Sequence, residues 1–359
     1  MTVRRHFLSH GLRHAAGLSL LPLLPPAWSA GTTPTPRLRH PTGRPFRILM
    51  LTFRGETDVD RGFRAYLADA GLDAQFTVRD VQQDAGRVPA ILRDTAPWQP
   101  DLIYAWGTPI TLAVVGPHDA ASQSGFVRDI PVVFALVAAP LQSRIVAQLD
   151  APGRNVTGAV HVVPTDVQLR AMQSYRPFQK LGVLYNAAEP NSRAIVAQAR
   201  EFCQRSGAQL LERTFRTNAT GAPVADGVED LVAQLHAAGA QWLYLLPDTF
   251  LGSLYERIAP TALKLQLPSF GAAELAVRSG GALVGLVSRY YSVGQLAGAK
   301  ALDILVAGKS PAQVPVETLK RFSLLVNMQV ARSLRLYPPI DMLNYAEVIA
   351  IGPTEARPS

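Results

Sequence analysis

The passage from Ile130 to Ser192 decides the fold. It contains an apolar run, IPVVFALVAAP (130–140), then a turn, PGRNVTG (152–158), and then a second passage, KLGVLYNAAEPNS (180–192). Each apolar run is short, rich in Val, Ile, Leu or Phe, and stopped by turn residues, which is typical of buried parallel strands. The spacing predicts two α/β units joined near Gly158, and a cleft between two such lobes can close on a small ligand.

Strands and helices alternate on both sides of this join. Before it, the pattern predicts strands at 46–52, 75–78, 102–105 and 132–136, and helices at 58–70 and 85–94. After it, the pattern predicts strands at 181–185, 208–215, 242–246, 268–270 and 283–287, and helices at 191–205, 226–238 and 251–265. Repeated strand–helix alternation indicates parallel sheets with right-handed crossovers. We therefore predict an α/β protein with two Rossmann-like lobes.

The C-terminal part of the chain is expected to return to both lobes. A helix from Val293 is assigned to the first lobe and the strand Phe322–Val326 to the second, so three segments would cross a hinge. The predicted organisation is a first lobe of 45–158 plus 289–320 and a second lobe of 159–288 plus 321–345. Residues 346–359 are predicted to be a flexible tail.

The first thirty residues have the pattern of an export signal. Arg4 and Arg5 precede a modestly apolar segment, and PPAWSA (25–30) ends in small residues suited to cleavage near Ser29 or Ala30. The passage RRHFL resembles a twin-arginine signal, and an ordinary secretory signal with paired arginines is the alternative. The sequence predicts a periplasmic protein without a lipid anchor, because no cysteine lies near the cleavage site.

Residues 31–44, GTTPTPRLRHPTGR, are predicted to be a flexible leader, since they contain too little apolar surface to order themselves. The formal net charge is +8. It falls to about +5 when Arg4, Arg5 and Arg13 leave with the signal. Acidic and basic residues are interspersed, which indicates a solvated surface and no nucleic-acid partner.

Six passages together carry a family resemblance. They are IPVVFALVAAP, PGRNVTG, LGVLYNAAEPNS, LYLLPDTF (243–250), the run from Tyr290 to Glu317, and FSLLVNMQVARSL (322–334). In this order they resemble the ABC-transporter substrate-binding protein family that includes tryptophan- and tyrosine-binding members, over roughly residues 46 to 337. The resemblance implies a type I periplasmic binding protein that holds a small molecule between its lobes and delivers it to a membrane permease. It also implies no cofactor, and we expect a monomer.

The loops that follow the strands are the candidate ligand contacts, because ligands of open α/β sheets sit beyond the carboxyl ends of the strands. The sharpest is WGTP (106–109). There Gly107 permits close backbone approach, and the Thr108 hydroxyl can join backbone N–H groups at a helix start to bind a carboxylate. The alternative is that Gly107 and Thr108 only cap a helix at 110–115.

Asp248 follows a buried strand and matches an acid that the family uses to pair with a ligand ammonium group. A desolvated carboxylate would make a strong charge-assisted bond there, with Thr249 beside it in the same loop. The alternative is that Asp248 caps the next helix, since Asp is a preferred N-cap. An exported enzyme that uses Asp248 and Glu274 as an acid–base pair is a further hypothesis.

Four more residues complete the predicted site. Asn186 can reach the cleft with its amide or serve only as a turn former. Glu274 lies where the family often has a ligand-side polar residue, and a solvated surface acid is the alternative. Phe53 and Tyr290, with Trp106, can supply apolar walls for a planar ligand, with Tyr291 as the alternative to Tyr290.

One position departs from the family pattern. Ala139 precedes Pro140 where relatives commonly have Asp, which removes one polar anchor from the predicted site. No nucleophile elbow, zinc-protease motif, P-loop or dinucleotide fingerprint is present, and His40, His118, His161 and His236 lack metal-ligand spacing. The chain is therefore predicted to be a binding protein, either a transport receptor or a sensor that presents its ligand state to a membrane kinase or cyclase.

Overall fold

A computed structural model of the chain describes residues 37–121 and 125–350. The strands are β1 (Phe46–Thr52), β2 (Ala74–Asp80), β3 (Leu102–Trp106), β4 (Val132–Val137), β5 (Val156–Val160), β6 (Lys180–Tyr185), β7 (Gln209–Thr214), β8 (Arg216–Thr217), β9 (Pro223–Val224), β10 (Trp242–Leu245), β11 (Ser269–Gly271), β12 (Val284–Val287), β13 (Glu317–Thr318), β14 (Ser323–Asn327) and β15 (Ala346–Ile349). The helices are α1 (Asp58–Asp69), α2 (Val88–Thr95), α3 (Gly107–Val115), α4 (Thr165–Tyr175), α5 (Pro190–Ser206), α6 (Val228–Ala237), α7 (Tyr255–Lys264), α8 (Glu274–Arg278), α9 (Tyr290–Leu305), α10 (Met328–Leu334) and α11 (Ile340–Leu343).

Two sheets form the framework, as the alternation of strands and helices predicts. The first sheet has the strand order β13-β5-β4-β3-β1-β2, and all its neighbouring strands are parallel. We call this sheet and the helices packed on it the first lobe. The central strands β3 and β4 are buried along their whole length, which explains their continuous apolar sequences.

The second sheet has the strand order β15-β14-β12-β11-β10-β6-β7 and forms the second lobe with its helices. Its neighbouring strands are parallel except for β12 and β14, which pair antiparallel. Each lobe has its own cluster of buried apolar side chains. The α/β fold with two mostly parallel sheets is therefore confirmed.

The chain passes between the two sheets three times, after β5, after β12 and after β13. The second passage brings α9 back to the first lobe, where it packs closely on α1 and contacts β4 and β5. Small residues allow the close approach, because a Cβ atom on Gly294 would lie 2.0 Å from the carbonyl oxygen of Val59. The third passage returns the chain to the second sheet as β14.

The predicted flexible segments are shorter than expected. Leu38 exchanges backbone hydrogen bonds with Gly71 and Asp73, and Arg44 forms a double hydrogen bond with Asp101, so the leader prediction is wrong for residues 37–44. The tail prediction is wrong for Ala346–Ile349, which forms β15 on β14. Hydrogen bonds to partners distant in sequence order both segments despite their polar composition. The predicted signal, 1–30, lies outside the described residues.

Several predicted boundaries also move. The expected helix at 251–265 divides into a 3₁₀ turn, Leu251–Ser253, and α7, and the helix expected from Val293 begins at Tyr290. The passage expected to be a turn at 152–158 contains the first residues of β5. Within the described residues, no helix is both long enough and apolar enough to cross a membrane.

Candidate ligand-binding site

A cavity lies between the lobes, beyond the carboxyl ends of the strands, and the empty space in it, together with the solvent at its mouth, is about 400 Å³. We call it the inner cavity. Its walls from the first lobe and the passages between the sheets include Arg54, Trp106, Thr108, Leu136, His161 and Tyr290. Its walls from the second lobe are Asn191, Pro247, Asp248, Thr249, Gly252 and Tyr255. A bound molecule here would contact both lobes at once.

The start of α3 provides a polar end to the inner cavity. Gly107 has φ +76°, a backbone conformation that favours glycine, and it begins a helix whose N-cap, Trp106, makes no side-chain capping bond. Thr108 is buried, and its hydroxyl has no protein hydrogen-bond partner among the described residues. The first N–H groups of a helix lack partners within the helix and favour negative charge. The Thr108 hydroxyl and these N–H groups suit a ligand carboxylate. Gly107 does not line the cavity itself but forms the start of α3.

Stacked aromatic rings lie beside this helix start. The rings of Phe53 and Trp106 are 5.5 Å apart with an interplanar angle of 10°, and the guanidinium of Arg54 lies 5.4 Å from the Trp106 ring centroid. Trp106 also donates from Nε1 to the Thr57 hydroxyl at 3.3 Å, which fixes its orientation. Trp106 faces the inner cavity, so a planar ligand would meet a rigid aromatic surface there.

Asp248 lines the inner cavity, but its carboxylate already has protein partners. The backbone N–H of Asn186 donates to Oδ2 at 2.7 Å, and that of Leu251 donates to Oδ1 at 2.8 Å. Asp248 therefore binds the N–H of the first residue of the 3₁₀ turn after β10, and it also lines the inner cavity. Burial raises the pKa of this carboxyl above its ordinary value, and the backbone hydrogen bonds oppose that rise.

A second buried carboxylate lies next to Asp248. Glu189 accepts hydrogen bonds from the backbone N–H of Thr249 at 3.0 Å and from its hydroxyl at 2.5 Å. Burial, and then repulsion from Asp248, raise the pKa of Glu189 to about 8. No Lys or Arg of the described residues forms a salt bridge with either carboxylate. In the described part of the chain, this pair is a buried acidic site without a salt-bridge partner.

Glu274 lies away from the inner cavity and holds the second passage between the sheets. It accepts hydrogen bonds from Arg278 at 2.9 Å, from Arg289 at 3.0 Å and from the backbone N–H of Tyr290 at 2.6 Å. Only 6% of its surface is exposed, so the interpretation as a solvated surface acid is wrong. Burial raises its pKa, and the structure does not bring it together with Asp248 as an acid–base pair.

Tyr290, which Glu274 positions, does line the inner cavity. It is 5% exposed, and burial raises the pKa of its phenol to about 12. Its neighbour Tyr291 is 42% exposed, so the structure selects Tyr290 as the cavity aromatic.

A wider, more open groove adjoins the inner cavity and has an empty volume of about 1080 Å³. We call it the outer groove. Thr108 and Thr249 line both spaces, and the outer groove also has Phe53 and Leu112 on one side and Phe250 on the other. Asn186 is at its edge, where Oδ1 accepts from the backbone N–H of Ala188 at 3.0 Å, as a turn former does.

Sequence reasoning missed four side chains with polar groups in the inner cavity. Arg54 lies in the loop after β1, Asn191 in the first turn of α5 and Tyr255 at the start of α7. His161 follows β5 and was noted only as a histidine without metal-ligand spacing. A polar residue directly after a buried strand is a signal that could have identified Arg54 and His161.

Ala139 does not line the inner cavity. It is 7% exposed and lies in a separate groove at the passage after β5, beside Pro140 and Val163. The neighbouring residues Leu136 and Ala138 face the inner cavity instead. The lack of an acid at position 139 therefore removes no polar group from the inner cavity.

Comparison with known proteins gives one family. The profile of the family described as ABC transporter substrate-binding protein matches residues 52–349. A "Tyrosine-binding protein" from Clostridioides difficile (strain R20291) is 26% identical over 279 residues, which span 76% of this chain and 75% of the relative.

Solved structures show a similar fold. A conserved domain protein from Vibrio cholerae has a TM-score of 0.74 at 24% identity, covering 85% of this chain and 99% of that one. An ABC domain from Streptococcus pneumoniae, solved in complex with L-Trp, has a TM-score of 0.73 at 20% identity, covering 85% of this chain and 100% of that one.

Proposed function

The chain belongs to the ABC transporter substrate-binding protein family, and from this premise we propose that it captures an aromatic amino acid, such as tyrosine or tryptophan, between its lobes. Two relatives support this ligand class, one named for tyrosine binding and one solved with L-Trp. We further propose that it works in the periplasm after removal of residues 1–30, as a monomer that delivers its ligand to an inner-membrane permease.

The buried carboxylate pair, Glu189 and Asp248, is the observation that carries the proposal. Two neighbouring buried carboxylates without a cation are unfavourable, and at least one retains a proton unless a cation arrives. The ammonium group of an amino acid supplies that cation. A sugar or a simple carboxylic acid does not.

The other end of the site suits the rest of an amino acid. The ligand carboxylate would accept hydrogen bonds from the Thr108 hydroxyl and the first N–H groups of α3, with Arg54 adding positive charge. The aromatic ring would lie against Trp106 and extend toward the apolar outer groove. This orientation places each charged end of a zwitterion beside the opposite charge.

A binding screen tests the proposal. Residues 31–359 would be examined by thermal shift and by calorimetry against L-Tyr, L-Trp, L-Phe, aliphatic amino acids, sugars and nucleosides. A ligand at 100 times its Kd adds about 2.7 kcal/mol to the free energy of unfolding. We expect saturable, one-to-one binding of an aromatic amino acid. A well-folded sample that binds a sugar or nucleoside and no amino acid would overturn the proposal.

Delivery and location need separate measurements. Reconstitution with the candidate permease in vesicles should give ligand uptake that depends on this protein. Fractionation of cells that express the full chain should place the mature form in the periplasm. Retention of the protein in the cytoplasm would contradict the proposed role.

A further inference from the structure

Two buried atoms that can accept a hydrogen bond, and that have no partner among the described residues, belong to side chains that line the inner cavity. They are Nδ1 of His161 and Oδ1 of Asn191. His161 is 6% exposed and Asn191 is 2% exposed. A buried polar atom without a partner costs free energy. These two acceptors, together with the unpartnered donor Nε of Arg54 in the same wall, indicate groups that a ligand satisfies.

The chemistry of His161 is fixed by its surroundings. Its ring lies edge-on to Tyr290, with centroids 5.8 Å apart, and it lies near the backbone of Val137. Its Nδ1 has no hydrogen-bond partner among the described residues. Burial lowers the pKa of the imidazole to about 4, so the ring is neutral near pH 7. With its proton on Nε2, the neutral ring presents the Nδ1 lone pair to the cavity.

The amide of Asn191 has a similar assignment. Its Nδ2 donates to the carbonyl of Pro247 at 3.0 Å. A carbonyl can only accept, so this bond fixes the NH₂ group toward Pro247 and turns Oδ1 away. Oδ1 is left as the second acceptor.

The nearby carboxylates are less available for direct contact. Asp248 accepts backbone N–H groups at both of its oxygens, and Glu189 accepts the N–H and the hydroxyl of Thr249. Asp248 contributes negative charge to the cavity wall, whereas the two neutral acceptors have no hydrogen-bond partner among the described residues.

We propose that His161 Nδ1 and Asn191 Oδ1 bind the ammonium group of the ligand directly and make the protein selective for a primary amine. The inference rests on the proposed function and deepens it. An ammonium group has three N–H donors, and two of them match the two neutral acceptors beside the negative charge of Asp248. A ligand without the amine leaves both acceptors buried and unpaired, and a site of this kind rejects such an analogue strongly.

Three ligands separate the possible donors. L-Trp has the ammonium group and the indole N–H, indole-3-propionate keeps only the indole N–H, and L-Phe keeps only the ammonium group. Calorimetry on the wild type should show that L-Trp binds at least 100-fold more tightly than indole-3-propionate. L-Phe, which lacks the indole N–H, should still lose affinity when His161 is replaced.

Substitutions assign the acceptor. His161→Phe keeps a ring but removes Nδ1, and it should weaken L-Trp and L-Phe by about 10- to 100-fold while leaving indole-3-propionate unchanged. Asn191→Ala should act in the same direction and gives the same test should His161→Phe not fold. His236→Phe, an exposed position on α6, is the matched control and should change nothing.

The outcomes are distinct. The inference is overturned if His161→Phe and Asn191→Ala leave the ratio of L-Trp to indole-3-propionate affinity unchanged while L-Trp still binds. It is also overturned if His161→Phe weakens L-Trp but not L-Phe, because the acceptor would then serve the indole. If no amino acid binds the folded wild type, the proposed function itself fails, and the inference with it.

Discussion

Arg54 of the first lobe donates a hydrogen bond from Nη1 to the carbonyl oxygen of Gly252 in the second lobe, at 2.9 Å. The two residues are 198 positions apart and both line the inner cavity. The same guanidinium lies over the Trp106 ring. One side chain thus joins the lobes and contacts the aromatic wall, so closure of the lobes and completion of the site are linked.

Replacement of Arg54 should favour separation of the lobes. Arg54→Met keeps most of the apolar stem but loses the bond to Gly252, and we expect ligand affinity to fall by about 1 to 3 kcal/mol, the cost of a lost hydrogen bond to a charged group. Small-angle scattering with saturating ligand should show a larger radius of gyration than the wild type. Arg64→Met, at an exposed ion pair with Glu56, is the control. Equal radii and affinities would contradict the role.

Thr108 should matter for binding and not for folding. Its hydroxyl has no protein partner among the described residues, so Thr108→Ala removes only a contact with the ligand. We expect a loss of about 1 to 2 kcal/mol in binding free energy and little change in the free energy of unfolding without ligand. Thr108→Ser should retain most of the affinity. Calorimetry and urea denaturation on the same samples measure both quantities, and a destabilised apo protein with normal affinity would point to a structural role instead.

Asp248, unlike Thr108, should matter for folding as well as for binding. Its carboxylate satisfies the backbone N–H groups of Asn186 and Leu251, so Asp248→Ala leaves two buried donors without partners. We expect the free energy of unfolding to fall by about 2 to 4 kcal/mol, together with weaker ligand binding. Asp248→Asn keeps one acceptor oxygen, so its free energy of unfolding should lie between those of the wild type and Asp248→Ala. Urea denaturation of the ligand-free proteins checks the order, and an Asp248→Ala protein as stable as the wild type would show that the cap is dispensable.

The sequence predicted the sheets better than the site. Continuous apolar runs such as Leu102–Trp106 identify buried strands because their pattern depends only on local sequence. The position of Leu136 in the cavity wall depends on a register shift between β4 and β5 and on a φ of +59° at Leu136. No local sequence pattern predicts either feature.

Some site residues could be predicted from local sequence, whereas the role of others depends on tertiary contacts. Trp106 ends β3 and Thr108 follows it, so both could be predicted to lie near the cleft, and both line the inner cavity. Whether Asp248 caps a turn or faces a ligand depended on which N–H groups surround it, and these come from Asn186, 62 positions earlier, as well as from Leu251. Tertiary packing likewise leaves His161 Nδ1 without a hydrogen-bond partner among the described residues.

The contact of α1 with α9 depends on glycine. A Cβ atom on Gly294 would lie 2.0 Å from the Val59 carbonyl oxygen, whereas one on Gly298 would meet the Tyr66 side chain at 3.0 Å. Gly294→Ala must move one helix and should cost about 1 to 3 kcal/mol of unfolding free energy. Gly298→Ala should cost less, because a side chain can shift more easily than a helix backbone. Chemical denaturation of both variants checks the ranking, and the reverse order would show that the helices are not held at this distance.

The stability of the protein should depend on pH through His161. Its pKa in the folded state is lowered to about 4, whereas an unfolded His titrates near its ordinary 6.5. Between these values the unfolded state binds more protons, so this group makes the folded state less stable as the pH falls from 6.5 toward 4. At pH 4.5 the loss is about 2 to 3 kcal/mol relative to pH 7.5.

His161→Gln removes this contribution. Glu189, with a raised folded pKa of about 8, acts with the opposite sign, stabilising the fold less as the pH rises from 4.5 toward 8, and it remains in both proteins. The difference between the two proteins therefore isolates His161. Urea denaturation at pH 7.5 and pH 4.5 should show that the wild type loses about 2 to 3 kcal/mol more than His161→Gln. Parallel losses would mean that His161 reaches solvent and titrates normally, and its Nδ1 would then have water as a partner in place of a ligand.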